Sequence, residues 1–378
     1  MTASDVAILH DRFPILGGGE AFAIEAARVL DAPIYTMYVR PNVDIPSDID
    51  VRTMRQSKYT SGLTGRLLKW RSSGMNPLES LNLAVDMTDG VRDLVEYDVL
   101  VESGPVSKYY VPETHQRIVH YPHSPPRWLY DLFHDRIDRM TRFPGVAFAA
   151  RAYAKAWRAL DKEAIDYVDQ FVANSEIIRD RIRRYYGRDA TVLYPPVTGD
   201  WRDEGDEGYF LTWSRLDSEK RTNLIVEAFQ GLEDRLVVAG DGEQRQMLER
   251  MAERHDNIEI RGYVEDIETL AARATAIVYA PRQEDFGLVG AEALSAGKPL
   301  IGVNEGFTRY QVEDGVTGLT FEPDVASLRE TIRSFEPAAF DSGEIQAFAE
   351  RYDYDVFEQQ LVDIVLHEHR QHHVRAEG

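Results

Sequence analysis

The feature that most limits what this chain can become is a rhythm. Short apolar runs of strand length alternate, along most of the sequence, with segments of helical spacing. Residues 6–9 (Val-Ala-Ile-Leu) read as a buried strand, followed by a glycine turn, Gly17-Gly18-Gly19-Glu20, and a helical pattern through Phe22, Ile24, Ala27 and Leu30. Further strands are expected at 34–38, 99–102, 117–121, 170–173 and 191–194, with a long helix over about 146–167 and an arginine-rich one capped by Asn174-Ser175. Strand, turn, helix, repeated in this way, is the pattern of a doubly wound α/β domain with a parallel sheet. At 378 residues the chain is too long for one typical core, so two domains are expected. From Pro195-Pro196 to Gly208 the composition turns to Gly, Asp and Glu, which reads as the interdomain linker. The rhythm then restarts, with strands at 209–213, 236–239, 258–260, 275–280 and 300–303, and a closing helix over 352–366. The expected domains are 1–196 and 197–351.

The most informative stretch runs from Glu284 to Gly297. Pro281 stops the preceding strand, and Leu288, Ala291 and Leu294 fall on one helix face. Gly297 and Pro299 end that helix. Glu284 is therefore expected in the loop at the strand's carboxyl end, and Glu292 about two turns up the helix. The first amides of the helix, on Phe286, Gly287, Leu288 and Val289, lack intrahelical acceptors and attract an anion. Two carboxylates beside such an end suit a ligand with phosphates in the middle and hydroxyls on both sides, the shape of a nucleotide-sugar. Arg215 and Lys220 flank another strand-to-helix turn, where they can converge on one diphosphate, the guanidinium with two donors and the ammonium as a point charge.

Composition narrows the setting. Net charge is −21, and of 43 basic residues only seven are lysine, a balance that resembles proteins of cells holding molar salt, such as halophilic archaea. A general nucleic-acid binder is not expected at this charge. No cysteine is present, so disulfides and thiolate metal sites are excluded. No apolar run approaches the ~20 residues that span a bilayer, and Met1-Thr2-Ala3-Ser4-Asp5 leads straight into a strand pattern, so a cytoplasmic location is expected. Residues 51–78 break the acidic pattern: they contain no Asp or Glu, while Arg52, Arg55, Lys58, Arg66, Lys69 and Arg71 are present with Leu63, Leu67, Leu68 and Trp70 among them. Such a segment reads either as a surface for anionic headgroups or a lipid-linked phosphate, or as a stretch that pairs with acids elsewhere in the fold.

Several of these motifs carry a family resemblance. The Glu284/Glu292 pair with Phe286-Gly287 between and Ala-Gly-Lys-Pro after it, the Arg215/Lys220 spacing and the Gly17-Gly18-x-Glu20 turn resemble elements of retaining glycosyltransferases of family 4. The run His123-Ser124-Pro125-Pro126-Arg127 is similar to a block near the reaction centre in one branch of that family. The resemblance implies the GT-B architecture, two Rossmann-like doubly wound domains facing across a cleft, with the closing helix crossing back to the first domain. It implies a metal-independent hexosyltransferase that needs no cofactor and takes a nucleoside-diphosphate sugar. In that scheme Arg215 and Lys220 stabilise the leaving diphosphate with the amides of Phe286, Gly287, Leu288 and Val289, and Glu292 takes the ribose hydroxyls. Glu284 takes the donor sugar, and His123 holds the sugar or steadies developing charge. Gly17 and Gly18 close over the phosphates, Arg127 assists, and Gly262, Tyr263 and Val264 hold the base. The expected acceptor is a lipid-linked glycan at the membrane face, contacted by Arg55, Lys58, Arg66, Lys69, Trp70 and Arg71. A GT-B epimerase and a non-catalytic sugar-nucleotide binder are the competing readings.

Overall fold

The computed structural model describes residues 5–14, 16–41, 43–54, 87, 94–131, 133 and 144–367. The chain forms two compact units, Met1–Leu193 together with Glu358–Gly378, and Tyr194–Phe357.

In the first unit, seven parallel strands form one sheet: β1 (Val6–His10), β2 (Ile34–Thr36), β3 (Val51–Thr53), β4 (Val99–Ser103), β5 (Arg117–Tyr121), β6 (Gln170–Ala173) and β7 (Ala190–Val192). Their order is β3-β2-β1-β4-β5-β6-β7. Every residue of β1, β4 and β5 is buried, as expected for parallel strands covered on both faces. Helices α1 (Gly18–Leu30), α2 (Pro144–Ala164) and α3 (Glu176–Tyr186) accompany them. β3 was not legible because its three residues, Val-Arg-Thr, are half-exposed or exposed.

This core holds an ion pair closed to water. Lys108 Nζ lies 2.6 Å from Asp161, with both side chains fully buried. Tyr109 and Tyr130 donate to the same carboxylate at 3.0 and 2.7 Å, and Lys108 donates to Tyr186. The closing stretch is fastened to the same unit, since buried Arg117 donates to the carbonyls of Val365 and Ile364 at 2.9 and 3.1 Å.

The second unit has six parallel strands: β8 (Tyr209–Trp213), β9 (Arg235–Ala239), β10 (Ile258–Gly262), β11 (Ala276–Tyr279), β12 (Leu300–Val303) and β13 (Gly318–Phe321). The order is β10-β9-β8-β11-β12-β13, which places the reversal of winding between β8 and β11. Its helices are α4 (Thr222–Phe229), α5 (Arg245–Ala252), α6 (Ile267–Ala272), α7 (Leu288–Ser295), α8 (Thr308–Gln311), α9 (Val325–Ser334) and α10 (Ser342–Ala349), and α11 (Tyr354–Val362) begins in it and continues into the stretch that belongs to the first unit.

Residues 197–208, expected as a linker, are instead bound to this unit. Glu204 and Glu207 donate their amides to the carbonyls of Ala272 and Arg273, and buried Lys298 reaches Asp203 at 2.5 Å and the Gly205 carbonyl at 2.6 Å. The acidic run that reads as solvated in sequence is thus neutralised by Arg273 and Lys298 from distant elements.

Candidate active site

The second sheet sorts its helix ends by position. The two edge strands, β10 and β13, lead into α6 and α9, whose first amides are capped by Asp266 and Asp324. The four inner strands, β8, β9, β11 and β12, lead into α4, α5, α7 and α8, and none of these has a side-chain cap. Helix starts without side-chain caps therefore line the carboxyl edge around the winding reversal, where open parallel sheets bind ligands.

The loop after β8 is organised by Asp217. One carboxylate oxygen accepts the amides of Glu219 and Lys220 at 3.0 and 3.2 Å, while the other accepts Arg215 Nε at 2.5 Å. Arg215 itself is largely exposed. Lys220 turns the other way, toward the loop after β11. Its ammonium lies 2.6 Å from Glu284 and 3.4 Å from the Tyr279 hydroxyl, which also donates to Glu284 at 3.2 Å. Lys220, Glu284 and Tyr279 thus form one hydrogen-bonded triangle across the β8/β11 switch point. Arg282 donates its amide to the Glu219 carbonyl at 2.7 Å and ties the two loops together.

Two glycines let this triangle close. Gly287 has φ +81°, and a Cβ there would come within 3.1 Å of both the Glu284 side chain and the Tyr279 ring. Gly306, in the loop after β12, lies so close to Glu284 that a Cβ would fall on its backbone amide and carbonyl; beside it the Phe307 amide donates to that carbonyl at 2.9 Å. Gln311 donates to the Gly287 carbonyl at 3.0 Å. Arg221, the residue just before α4, pairs with Glu305 at 2.8 Å.

Glu292 is the fifth residue of α7, one turn up rather than two, because the helix begins only at Leu288. Trp213, at the end of β8, donates its indole N–H to Glu292 at 3.2 Å and stacks on Trp201. Burial pushes the Glu292 carboxyl up to about 7, against the lowering effect of that hydrogen bond. Phe286 contributes only backbone to this edge: its ring is buried in a cluster with Tyr194, Phe307 and Tyr352. Leu288 and Val289 are half-buried at the helix start. Gly262 has φ +75° and accepts the Gly240 amide at 2.7 Å, after which Tyr263 is 78% exposed and Val264 half-buried.

The remaining expected residues belong to the first unit. Gly17 is the residue before α1 and Gly18 its first; Glu20 accepts the Gly17 amide at 3.1 Å and so shapes the turn itself. Gly19 lies against the His123 ring, 3.4 Å from Nε2 for an added Cβ. His123, with φ +56°, packs edge-on to Phe22 and Tyr121, and its Nε2 lies 2.9 Å from Ser103 Oγ. Ser103 also meets His10 Nδ1 at 3.0 Å. Burial pushes His123 down to about 3 and His10 down to about 4, so both rings are neutral near pH 7. A neutral imidazole exchanges hydrogen bonds but supplies no positive charge. Arg127 donates to Asp131 at 3.1 Å, a carboxylate also approached by Arg181 at 3.7 Å. Arg55, Lys58, Arg66, Lys69, Trp70 and Arg71 lie outside the described residues.

Sequence reasoning missed Tyr279, Asp217, Trp213, Ser103 and His10. Three of these, Tyr279, Trp213 and Ser103, are the last residue of a buried strand, and His10 is another, so strand ends at the carboxyl edge were the available signal. Asp217 carried a weaker one, an Asx turn of the kind that short polar side chains make.

Comparison with known proteins places these features. The fold is GT-B: over 95% of this chain and 98% of the other, it superposes with a TM-score of 0.65 and 17% identity on the structure of Anabaena Alr3699/HepE in complex with UDP and glucose. Human alpha-1,3/1,6-mannosyltransferase ALG2 is 23% identical over 64% of this chain and 65% of its own length. Glycogen synthase of Mycobacterium tuberculosis H37Rv is 36% identical over 50% of this chain and 51% of its own. The chain thus spans between half and two thirds of the length of these curated relatives. Residues 199–339 match the family described as glycosyl transferases group 1, a span that contains the Lys220–Glu284–Tyr279 triangle, Arg215 and Glu292.

Proposed function

We propose that this chain is a retaining, metal-independent hexosyltransferase of family 4 that moves a mannose-like or glucose-like residue from a nucleoside-diphosphate sugar to a hydroxyl of a lipid-linked glycan, for surface glycan or glycoprotein assembly. The observation that carries this reading is the 2.6 Å pair of Lys220 with Glu284 at the switch point, beside the uncapped start of α7. A cation, a helix start without a side-chain cap and a carboxylate meet there, and departure of a diphosphate from a sugar calls for each of them. The family match over 199–339, a relative named as a mannosyltransferase and a fold neighbour holding UDP and glucose support it.

The division of labour follows from the contacts. Lys220 leaves Glu284 for the diphosphate, which frees the carboxylate for donor-sugar hydroxyls. Arg215 and the first amides of α7 take further phosphate oxygens. Glu292, close to half ionised at neutral pH, both accepts from and donates to ribose hydroxyls. Gly262, Tyr263 and Val264 meet the base. In the first unit, neutral His123 is suited to exchange a hydrogen bond with a sugar hydroxyl, and the Gly17-Gly18 turn and Arg127 are suited to meet an anionic group.

Lys220→Ala is expected to lower transfer by 10²-fold or more, in line with about 2.7–4 kcal/mol for loss of a central electrostatic donor. The assay is mass spectrometry of GDP-, UDP-, ADP- and dTDP-sugars incubated with and without lipid extract. Near-wild-type turnover removes Lys220 from the mechanism. Conversion of the donor without any acceptor reassigns the chain as an epimerase, and binding without turnover as a non-catalytic binder. Residues 51–78 predict peripheral association with anionic vesicles that weakens with salt, checked by flotation; no binding at low salt ends the membrane part alone. Among the described residues, no helix is long and apolar enough to cross a membrane.

A further inference from the structure

We propose that Trp213 is a positioning residue that sets how the ribose is read: its indole N–H occupies one oxygen of Glu292, so that a nucleotide is gripped through a single ribose hydroxyl rather than through two. The inference rests on the reading of Glu292 as the ribose-binding acid and narrows it. All the groups concerned lie within the second unit. Trp213 Nε1 donates to Glu292 Oε2 at 3.2 Å, while Oε1 has no hydrogen-bond partner among the described residues. Little in this contact can move. Trp213 closes β8, where it pairs with Ala239 of β9, and its side chain is buried. Its ring stacks on Trp201, with centroids 5.8 Å apart and 15° between the planes. Trp201 is held in turn, since its indole donates to the Thr198 carbonyl at 2.7 Å. Gly199, with φ +105°, lies so close that an added Cβ would stand 3.2 Å from the Trp201 indole nitrogen.

The consequence follows from donors and acceptors. An indole nitrogen donates and cannot accept, so Oε2 turns a lone pair to Trp213 whether the carboxyl is charged or neutral. When Glu292 carries a proton, that proton therefore sits on Oε1. In both states the carboxyl meets a ligand through Oε1, which accepts from a hydroxyl when ionised and donates to one when protonated. A carboxylate with both oxygens open can take two neighbouring hydroxyls, one on each. Here the second hydroxyl would have to displace the indole, and a buried N–H left without a partner loses at least as much as the new bond gains. One ribose hydroxyl is thus bound firmly by Glu292, and the other contributes little through it.

The test is calorimetric titration of the whole chain with UDP, GDP and ADP, each beside its 2′-deoxy and 3′-deoxy forms. For the nucleotide that binds, one deoxy form is expected to bind within threefold of it and the other at least tenfold more weakly (about 1.4 kcal/mol). Trp213→Phe keeps an aromatic ring against Trp201 and deletes the N–H; with Oε2 open, both deoxy forms are expected to lose tenfold or more. Should that variant fail to fold, Trp201→Leu removes the ring that holds the indole, and the difference between the two deoxy forms is expected to shrink severalfold. A parent chain that loses tenfold with both deoxy forms, or with neither, overturns the inference, and so does a folded Trp213→Phe that keeps the parent's pattern. Failure of all three nucleotides to bind overturns the transferase reading and the inference with it, whereas binding that needs both hydroxyls overturns the inference alone. Indole emission followed from pH 5 to 9 without ligand checks the contact by itself. A step near pH 7, where Glu292 titrates, is expected in the parent and absent from Trp213→Phe and Glu292→Gln. A parent without that step has no indole on the carboxyl, which also overturns the inference.

Discussion

At the scale of single residues, Glu292 couples function to stability. Its carboxyl is pushed up to about 7 in the folded chain from 4.5. A raised carboxyl binds a proton more tightly folded than unfolded, so stability is lost as pH rises from the unfolded value to the folded one and is flat above it. Glu292→Gln removes that loss. The variant is expected to melt higher than the parent at pH 8, by about 1–3 kcal/mol of added stability, with a smaller gap at pH 5. It is expected to bind nucleoside diphosphates more weakly, since Gln offers no charge to ribose hydroxyls. Melting curves at the two pH values check the sign, and a gap that is larger at pH 5 refutes it. The spacing of Glu284 and Glu292 was legible because a strand, a proline and a helix bracket it. That Lys220 would pair with Glu284 was not legible, since 64 residues separate them and only the switch-point geometry joins them.

At the scale of elements, the α2 helix is fixed to the first sheet through a charge that has no access to water. Asp161 accepts from Tyr109 and Tyr130 and pairs with Lys108, all inside the core. Removing one partner of a buried pair strands the other charge, at a typical cost of about 3–5 kcal/mol. Asp161→Asn is therefore expected to lose about that much stability in urea titration, while the double change Lys108→Met with Asp161→Leu recovers most of it. A loss below 1 kcal/mol for the single change would mean that the hydrogen bond to Tyr186 alone is enough to hold Lys108 in the core. Nothing in the sequence marked this pair: Lys108 follows a strand in a Ser-Lys-Tyr-Tyr run that reads as surface, and Asp161 sits in a helix rich in charge. Strands were read well where several apolar residues ran together, as in β1, β4 and β8. β13 escaped because it opens on Gly318, whose φ of +155° sits where its Cβ would strike the backbone of Leu300.

At the scale of the whole molecule, the GT-B fold was legible because its two parallel sheets repeat one local pattern. The charge balance is a global property of another kind. A net charge of −21 on 378 residues repels itself at low ionic strength, and the few lysines do not offset it on the surface. Among the described residues, Lys108 and Lys298 are spent on Asp161 and Asp203 with their own side chains buried, and Lys220 on Glu284 at the sheet edge. The remaining repulsion acts between exposed carboxylates, and salt screens it, the Debye length falling from about 10 Å at 0.1 M to about 3 Å at 1 M. Exposed pairs such as Arg28 with Asp48 are screened as well, but surface pairs of this kind contribute little, so the net effect of salt is stabilising. The melting temperature is expected to rise by more than 5 °C between 0.1 and 2 M KCl. NaCl at the same ionic strength should act alike if charge screening is the cause, and sucrose of matched osmolality should act less. A melting temperature that stays level or falls in both salts would mean that the acidic surface is already balanced by its arginines, and would overturn the expectation, drawn from charge balance, of a protein suited to molar salt.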